Sequence, residues 1–113
     1  MHLNFADFEV LTMENMRGGK GKVYIRKSPF VLDNMKMYAE ITIPCGSSIG
    51  YHSHTEDEEV ISVFSGEGIL VLNDKRIPFK RGDISLTKKD HFHSIENVNQ
   101  EDLVLIAVIN KLA

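Results

Sequence analysis

The fold and the candidate site are decided by residues 46–66, which read GSSIGYHSHTEDEEVISVFSG. Two histidines, His52 and His54, stand two positions apart, and Glu59 follows five positions after the second. On a β-strand, residues i and i+2 project to the same face, whereas on a helix this spacing splays the side chains apart. The pattern therefore favours a strand on which the two imidazole rings converge.

The acidic run that follows the histidines allows more than one interpretation. Glu59 comes directly before an apolar strand that begins at Val60, so a turn brings its carboxylate inward. Glu58 and Glu59 face opposite ways on a strand, and only one of them can join the histidines. We expect Glu56 and Asp57 to lie in a solvated surface turn.

A third histidine, His93, lies about forty positions further along, on a different predicted strand. A sheet that folds back on itself would bring it beside the first pair. Three imidazoles and one carboxylate suit a divalent first-row ion, with bonds of about 2.0 to 2.2 Å, and an octahedral ion keeps two positions open for water or substrate. We expect the ion to be held by His52, His54, Glu59 and His93.

Two histidines remain outside this group. His91 precedes His93 by two positions and shares its face if both lie on a strand, which makes it a candidate base or substrate contact beside the ligands. The alternative is an exposed histidine in a loop. His2 lies near the start of the sequence, and we expect no role for it in metal binding.

The rest of the sequence is typical of an all-β protein. From Gly21 onward, short segments rich in Val, Ile, Phe and Tyr alternate with turn residues at intervals of about ten, as in β-sandwiches and barrels. Asn73 and Asp74 predict a tight hairpin, since both residue types tolerate left-handed backbone. A helix is expected between residues 5 and 16, where apolar residues are spaced loosely like one helical face. The predicted strands are 22–26, 36–43, 60–64, 68–72, 76–79, 84–87, 92–98 and 103–110.

Length and composition limit the class of protein. The chain has 113 residues, which fits a single domain over residues 1–113. Its net charge is −3 and basic residues form no cluster, so we expect no nucleic-acid partner. Apolar runs such as residues 103–109 are far shorter than the roughly 20 residues of a membrane span. We therefore expect no membrane partner.

Cysteine content and the start of the chain bear on location and on metal chemistry. Cys45 is the only cysteine, so one chain forms no disulfide and any metal ligands are nitrogen or oxygen atoms. The first residues lack the basic and apolar regions of a secretory signal. We expect a cytoplasmic protein.

The two histidine segments resemble the motifs of the cupin superfamily. The first cupin motif reads Gly, five residues, His-x-His, three or four residues, Glu, six residues, Gly. Every position is filled here, by Gly46, His52, His54, Glu59 and Gly66. The six-residue gap before Gly66 also selects Glu59 over Glu58.

The second cupin motif reads Gly, five residues, Pro-x-Gly, two residues, His, three residues, Asn. Gly82, His93 and Asn97 match it, while Lys88 and Asp90 replace the proline and the glycine. The histidine that binds metal in the family is kept, and Asp90 still suits a turn because Asp accepts left-handed backbone. The two motifs together span residues 46–97.

The resemblance implies a fold, a cofactor and a range of functions. The implied fold is a cupin double-stranded β-helix, or jelly-roll barrel, with an N-terminal extension over about residues 1–21 and a barrel core over about residues 36–110. One divalent ion per chain, Mn, Fe, Zn or Ni, would be held by the four residues of the two motifs. The chain would then be a metalloenzyme of dioxygenase, decarboxylase or isomerase type acting on a small oxygenated molecule, or a non-catalytic module that binds or senses a sugar or small acid. Small cupins also imply a homodimer in which the N-terminal strand joins the neighbour's sheet.

Overall fold

The structure, a computed structural model, describes residues 1–112 and is built almost entirely of β-strands. Two short 3-10 helices, Phe5–Asp7 and Met16–Gly18, lie near the N-terminus. The strands are β1 Leu11–Glu14, β2 Lys22–Lys27, β3 Met35–Ile43, β4 Ser48–Ser53, β5 Asp57–Ser65, β6 Glu67–Leu72, β7 Lys75–Lys80, β8 Ile84–Thr87, β9 Phe92–Glu96 and β10 Leu103–Lys111. The all-β prediction is confirmed.

The strands form two antiparallel sheets. One has six strands in the order β1-β2-β3-β10-β5-β8, and the other has four in the order β4-β9-β6-β7. Strands that are distant in sequence lie side by side, as β10 does between β3 and β5. The connections therefore cross between strands in the manner of a jelly roll. The two sheets enclose one apolar core, which contains Val23, Ile25, Ala39, Ile41, Ile43, Ile49, Ile61, Val63, Leu70, Phe79, Ile95, Leu103, Leu105 and Ala107.

Strand β3 shows how alternation in the sequence becomes a core face. Ala39, Ile41 and Ile43 are fully buried, while the alternating residues Tyr38 and Glu40 turn to the outside. Successive residues of a strand point to opposite faces, so one sheet surface is apolar and the other is partly solvated. The predicted face is confirmed.

The N-terminal segment differs from the prediction. The expected helix over residues 5–16 is wrong: the chain forms only a 3-10 turn at Phe5–Asp7 and then strand β1, whose residues Leu11 and Met13 pair with Ile25 and Val23 of β2. Pairing with a neighbouring strand overrides a weak helical periodicity. The segment expected as an extension thus supplies the edge strand of the six-stranded sheet.

The described residues contain no helix long and apolar enough to cross a membrane.

The tight turns follow the predicted chemistry. Asn73 and Asp74 both adopt left-handed backbone, with φ of 46° and 74°, and connect β6 to β7 as a hairpin. Asp90 has φ of 68°, so it adopts the left-handed backbone expected at this turn. At Gly66, φ is 80° and a Cβ would overlap the carbonyl oxygen of Asp102, so only glycine fits this turn. These turns set the strand order that brings the two motifs together.

Candidate metal centre

Three histidines and one glutamate meet at one end of the core. His52 lies in β4 and stands directly opposite His93 of the neighbouring strand β9. His54 follows the end of β4, and Glu59 enters from β5 in the other sheet. All but His52 are buried, and His52 is half-buried. Each sheet therefore contributes ligands to one point between the layers.

The four side chains offer their ligand atoms at the separations that a metal ion requires. The Nε2 atom of His93 lies 3.1 Å from Nε2 of His54 and 3.2 Å from Nε2 of His52. The Oε1 atom of Glu59 lies 3.1 Å from Nε2 of His54 and 3.3 Å from Nε2 of His93. Bonds of about 2.1 Å place adjacent ligands of one ion about 3.0 to 3.4 Å apart. The group, all within 4.8 Å, can therefore hold a metal ion.

The Nδ1 atoms of His52 and His93 each have a hydrogen-bond partner in the protein. His52 Nδ1 lies 2.7 Å from the carbonyl oxygen of Gly50, and His93 Nδ1 lies 2.9 Å from the hydroxyl oxygen of Thr87. A carbonyl only accepts, so His52 must donate from Nδ1, which leaves the lone pair of its Nε2 facing the centre. Such partners fix the orientation and the tautomer of a histidine that binds metal.

His54 has a charged partner that the sequence did not single out. Its Nδ1 lies 2.7 Å from Oδ1 of Asp57, and the second carboxylate oxygen accepts a hydrogen bond of 2.8 Å from Lys36 Nζ. The expectation that Asp57 lies in a solvated turn is therefore wrong: its side chain is only 14 % exposed. Asp57 belongs to β5, and its position two residues before Glu59 places both carboxylates on the same face of that strand.

The environments of the histidines shift their pKa values in different directions. Burial lowers the pKa of His93 to about 3, with the nearby His52 and His54 adding to the effect. Burial also lowers the pKa of His52. The hydrogen bond to Glu59, supported by the one to Asp57, raises the pKa of His54. The metal-free site thus keeps two imidazoles neutral, the form that binds metal.

A small cavity opens on the four ligand side chains. Its volume is about 60 Å³, which is room for a molecule of a few non-hydrogen atoms. Six isoleucines from both sheets line it, together with Met16 and Met37. The group therefore faces a mainly apolar space, as ligand-binding sites commonly do.

His91 and Glu58, which neighbour the proposed ligands in sequence, do not line the cavity. His91 is exposed, and its Nδ1 lies 2.7 Å from Nδ2 of Asn73 in the hairpin between β6 and β7. We expected that His91 and His93 could share one strand face. They do not, because β9 begins only at Phe92, after the left-handed turn at Asp90. Glu58 points to the opposite side of β5 from Glu59, as alternation predicts.

Sequence reasoning also missed a cation at the cavity. Arg17 is among the residues that line it. Nothing local in the sequence marks this arginine, because its position depends on how the loop packs against β4.

A two-sheet jelly roll with three histidines and a glutamate between its layers defines a class of small barrels able to bind metal. The family model of the cupin domain matches residues 39–109. This match covers more than half of the chain and includes the four residues of the centre. The chain belongs to the cupin family.

Individual relatives share much of the sequence and the fold. An oxalate-binding protein of Thermotoga maritima is 37% identical over 100 residues, which are 86% of this chain and 83% of the relative. The crystal structure of a predicted oxalate decarboxylase from the same organism superposes with a TM-score of 0.93 at 33% identity and covers 99% of this chain and 100% of its own. KdgF from Halomonas sp. has a TM-score of 0.80 at 12% identity, covers 99% and 94%, and shows the fold alone.

Proposed function

We propose that this chain is a metal-dependent enzyme acting on a small carboxylic acid, with oxalate as the first candidate. The observation that carries the proposal is the buried group of three histidines and one glutamate at the end of a small cavity. The choice of acid is supported by the relative called an oxalate-binding protein and by the similar structure described as a predicted oxalate decarboxylase.

The residues divide into those that bind the ion and those that shape the space above it. His52, His54, Glu59 and His93 are the proposed ligands, and the candidate ions are Mn, Fe, Zn and Ni. A bound divalent ion supplies Lewis acidity toward a carboxylate or carbonyl oxygen. The isoleucine side chains make the remaining volume mainly apolar, and a less polar surrounding strengthens electrostatic contacts with an acid held there.

A binding module without turnover is the second candidate. Apart from the four ligands, Arg17 and Ser94 are the polar side chains among the residues that the structure places around the cavity. Neither an arginine nor a serine without a neighbouring base is suited to proton transfer near neutral pH. This scarcity of acid–base groups favours binding or sensing of a small acid over its conversion.

One experiment distinguishes the two candidates. The protein is prepared with Mn, Fe, Zn or Ni, and oxalate binding is measured by calorimetry while formate and carbon dioxide are measured as products. An enzyme binds oxalate and releases both products in equal amounts with at least one ion, whereas a binding module binds without release. Protein that holds the ions but binds no oxalate would contradict both.

The ligand assignment is tested with a matched pair of histidine variants. We expect His54→Ala to abolish stoichiometric metal binding, because it removes one of four ligands and leaves Asp57 without its partner. His2→Ala is the control, since His2 is exposed and lies outside the group. Equal metal content in the two variants would overturn the assignment.

We further propose that the chain forms a homodimer in the cytoplasm. Support for self-association comes from an apolar outer surface on the six-stranded sheet, which we call the outer apolar face: Tyr38, Val60, Phe64, Ile84, Leu86, Val104, Ile106 and Val108. Phe64, Ile84 and Leu86 are each more than 60 % exposed. A contiguous apolar surface of this kind is typical of protein–protein contacts. The free edge of β1 offers the alternative mode of strand addition.

A further inference from the structure

Arg17 is the side chain with a fixed positive charge among the described residues that line the cavity. It lies in the 3-10 turn Met16–Gly18 between β1 and β2. The residue is exposed, so its permanent positive charge lies on the solvent side of the cavity onto which the ligands open.

The loop that carries Arg17 is packed against the strand that carries His52. A Cβ on Gly50 would overlap the carbonyl oxygen of Arg17, and a Cβ on Gly19 would overlap the carbonyl oxygen of Ser48. The backbone N–H of Ser48 donates to the carbonyl oxygen of Lys20 at 2.9 Å, and the Lys20 N–H donates back to Ser48 Oγ at 2.9 Å. Two glycines and two hydrogen bonds thus fix the position of Arg17 relative to the candidate metal centre.

The backbone of Arg17 is unusual for an arginine. Its φ and ψ are 55° and 31°, in the left-handed region, which is unfavourable for a residue with a Cβ. Asn15, two residues earlier, has the same conformation at little cost because Asn tolerates it. Strained residues of this kind cluster at ligand-binding positions, where the side chain compensates for the backbone.

Charge around the cavity favours a ligand with two negative charges. A divalent ion bound by three neutral imidazoles and the Glu59 carboxylate leaves one positive charge, and Arg17 adds a second. Asp57 does not compensate them, because its carboxylate is paired with Lys36 at 2.8 Å. A small dianion is therefore the ligand whose charge best complements these two positive charges.

We propose that Arg17 determines specificity by binding the far carboxylate of a small dicarboxylate whose near carboxylate faces the metal ligands. This inference rests on the proposed function and adds the class of acid: dianions are bound in preference to monoanions of the same shape. Guanidinium groups suit the role because their planar N–H pairs match a carboxylate in a bidentate geometry.

The test compares oxalate with oxamate, which has nearly the same shape but carries an amide in place of one carboxylate. The variant is Arg17→Asn, which removes the cation and keeps a residue that accepts left-handed backbone. Arg81→Asn removes an exposed arginine in the turn between β7 and β8 and is the matched control. Affinities are measured by calorimetry on Mn-loaded and Zn-loaded protein, together with metal content and melting temperature.

We expect Arg17→Asn to weaken oxalate binding about 10- to 100-fold, the range for a lost hydrogen bond between charged groups, and oxamate binding far less. Metal content and melting temperature stay at the values of Arg81→Asn. Equal weakening of both ligands, or oxalate affinity unchanged in Arg17→Asn, would overturn the role of Arg17 while leaving the proposed function intact. Wild-type protein that holds metal and binds neither acid would instead overturn the proposed function, and the inference with it.

Discussion

The Nδ1 atom of His54 lies 2.7 Å from the Oδ1 atom of Asp57, three residues further along the chain. Burial raises the pKa of the Asp57 carboxyl, but hydrogen bonds with Lys36 and His54 outweigh it, and the net pKa is lowered. Asp57 is therefore ionised near neutral pH and accepts the Nδ1 proton of His54. This leaves the Nε2 lone pair of His54 directed at Glu59 and His93, where an ion would bind.

We predict that Asp57→Leu lowers metal affinity about 10- to 100-fold, the usual effect of losing the partner of a metal-binding histidine. Asp57→Asn should lower it less, because the amide oxygen still accepts the Nδ1 proton. Affinity is measured by competition with a chromophoric chelator. Glu56→Leu is the control, since Glu56 is exposed next to Asp57. An Asp57→Leu variant that matches Glu56→Leu would show that His54 needs no carboxylate partner.

Two buried hydroxyls on β8 provide a second comparison. Thr87 contacts Nδ1 of His93, whereas Ser85 Oγ is buried and has no hydrogen-bond partner among the described residues. Thr87→Val should lower metal affinity because His93 loses its fixed tautomer. Ser85→Ala should leave metal affinity unchanged and alter the free energy of unfolding by no more than about 1 kcal/mol, since it removes an unpaired polar group. Chelator competition and urea unfolding measure the two effects, and equal loss of metal affinity in both variants would contradict the assignment.

Metal binding should strengthen as pH rises. The pKa of His54 in the metal-free protein is raised above 6.5, mainly by the hydrogen bond to Glu59, so a proton competes with the ion at this residue. The pKa of His93 is about 3, so it is already neutral in this range. Apparent affinity should therefore increase until pH exceeds the raised pKa of His54 and then become constant.

This pH dependence is measured by calorimetry from about pH 5.5 to about pH 8.5, around the usual histidine range. The stability of the metal-free protein should show the opposite sign at His54: the stabilisation by its protonated form is present below 6.5 and is lost as pH rises through the raised pKa. In Asp57→Asn the affinity curve should shift to lower pH. An affinity that is flat over this range would rule out competition at His54.

A charge placed within the outer apolar face should disrupt the proposed homodimer. Leu86 is 63% exposed and pairs across the sheet with Val60, so Leu86→Glu places a charge within this face. We expect the variant to elute at the mass of a monomer in gel filtration with light scattering, while its circular dichroism is unchanged. Ile77→Glu, at an exposed position of the four-stranded sheet, is the control. A Leu86→Glu dimer would instead point to association through the edge of β1.

Local patterns predicted most of the strands and the residues that can hold metal. Alternation located the core face of β3. Burial of Ala39 and Ile41 produces a period-two hydrophobic pattern that can be recognised without knowing which strands pair with β3. The spacing of His52, His54 and Glu59 is also local information, because one strand and one turn determine where these side chains lie. Such features are predictable because they depend on a few neighbouring residues.

The remainder depended on contacts between distant segments. Strand β1 has four exposed residues, so its pattern carries no burial signal, and only pairing with β2 reveals it. Asp57 belongs to an acidic run that is indistinguishable from a surface turn until His54 and Lys36 are placed beside it. The position of Arg17 follows from the close approach of its loop to Gly50, some thirty residues away.

The division of the metal-binding group between the sheets has a mechanical consequence. His52 and His93 belong to the four-stranded layer and Glu59 to the six-stranded layer, so coordinate bonds to one ion would fasten the two layers at that end of the barrel. Each tenfold excess of ion over its dissociation constant then adds about 1.4 kcal/mol to the free energy of unfolding. Removal of the ion would take away this link between the two layers.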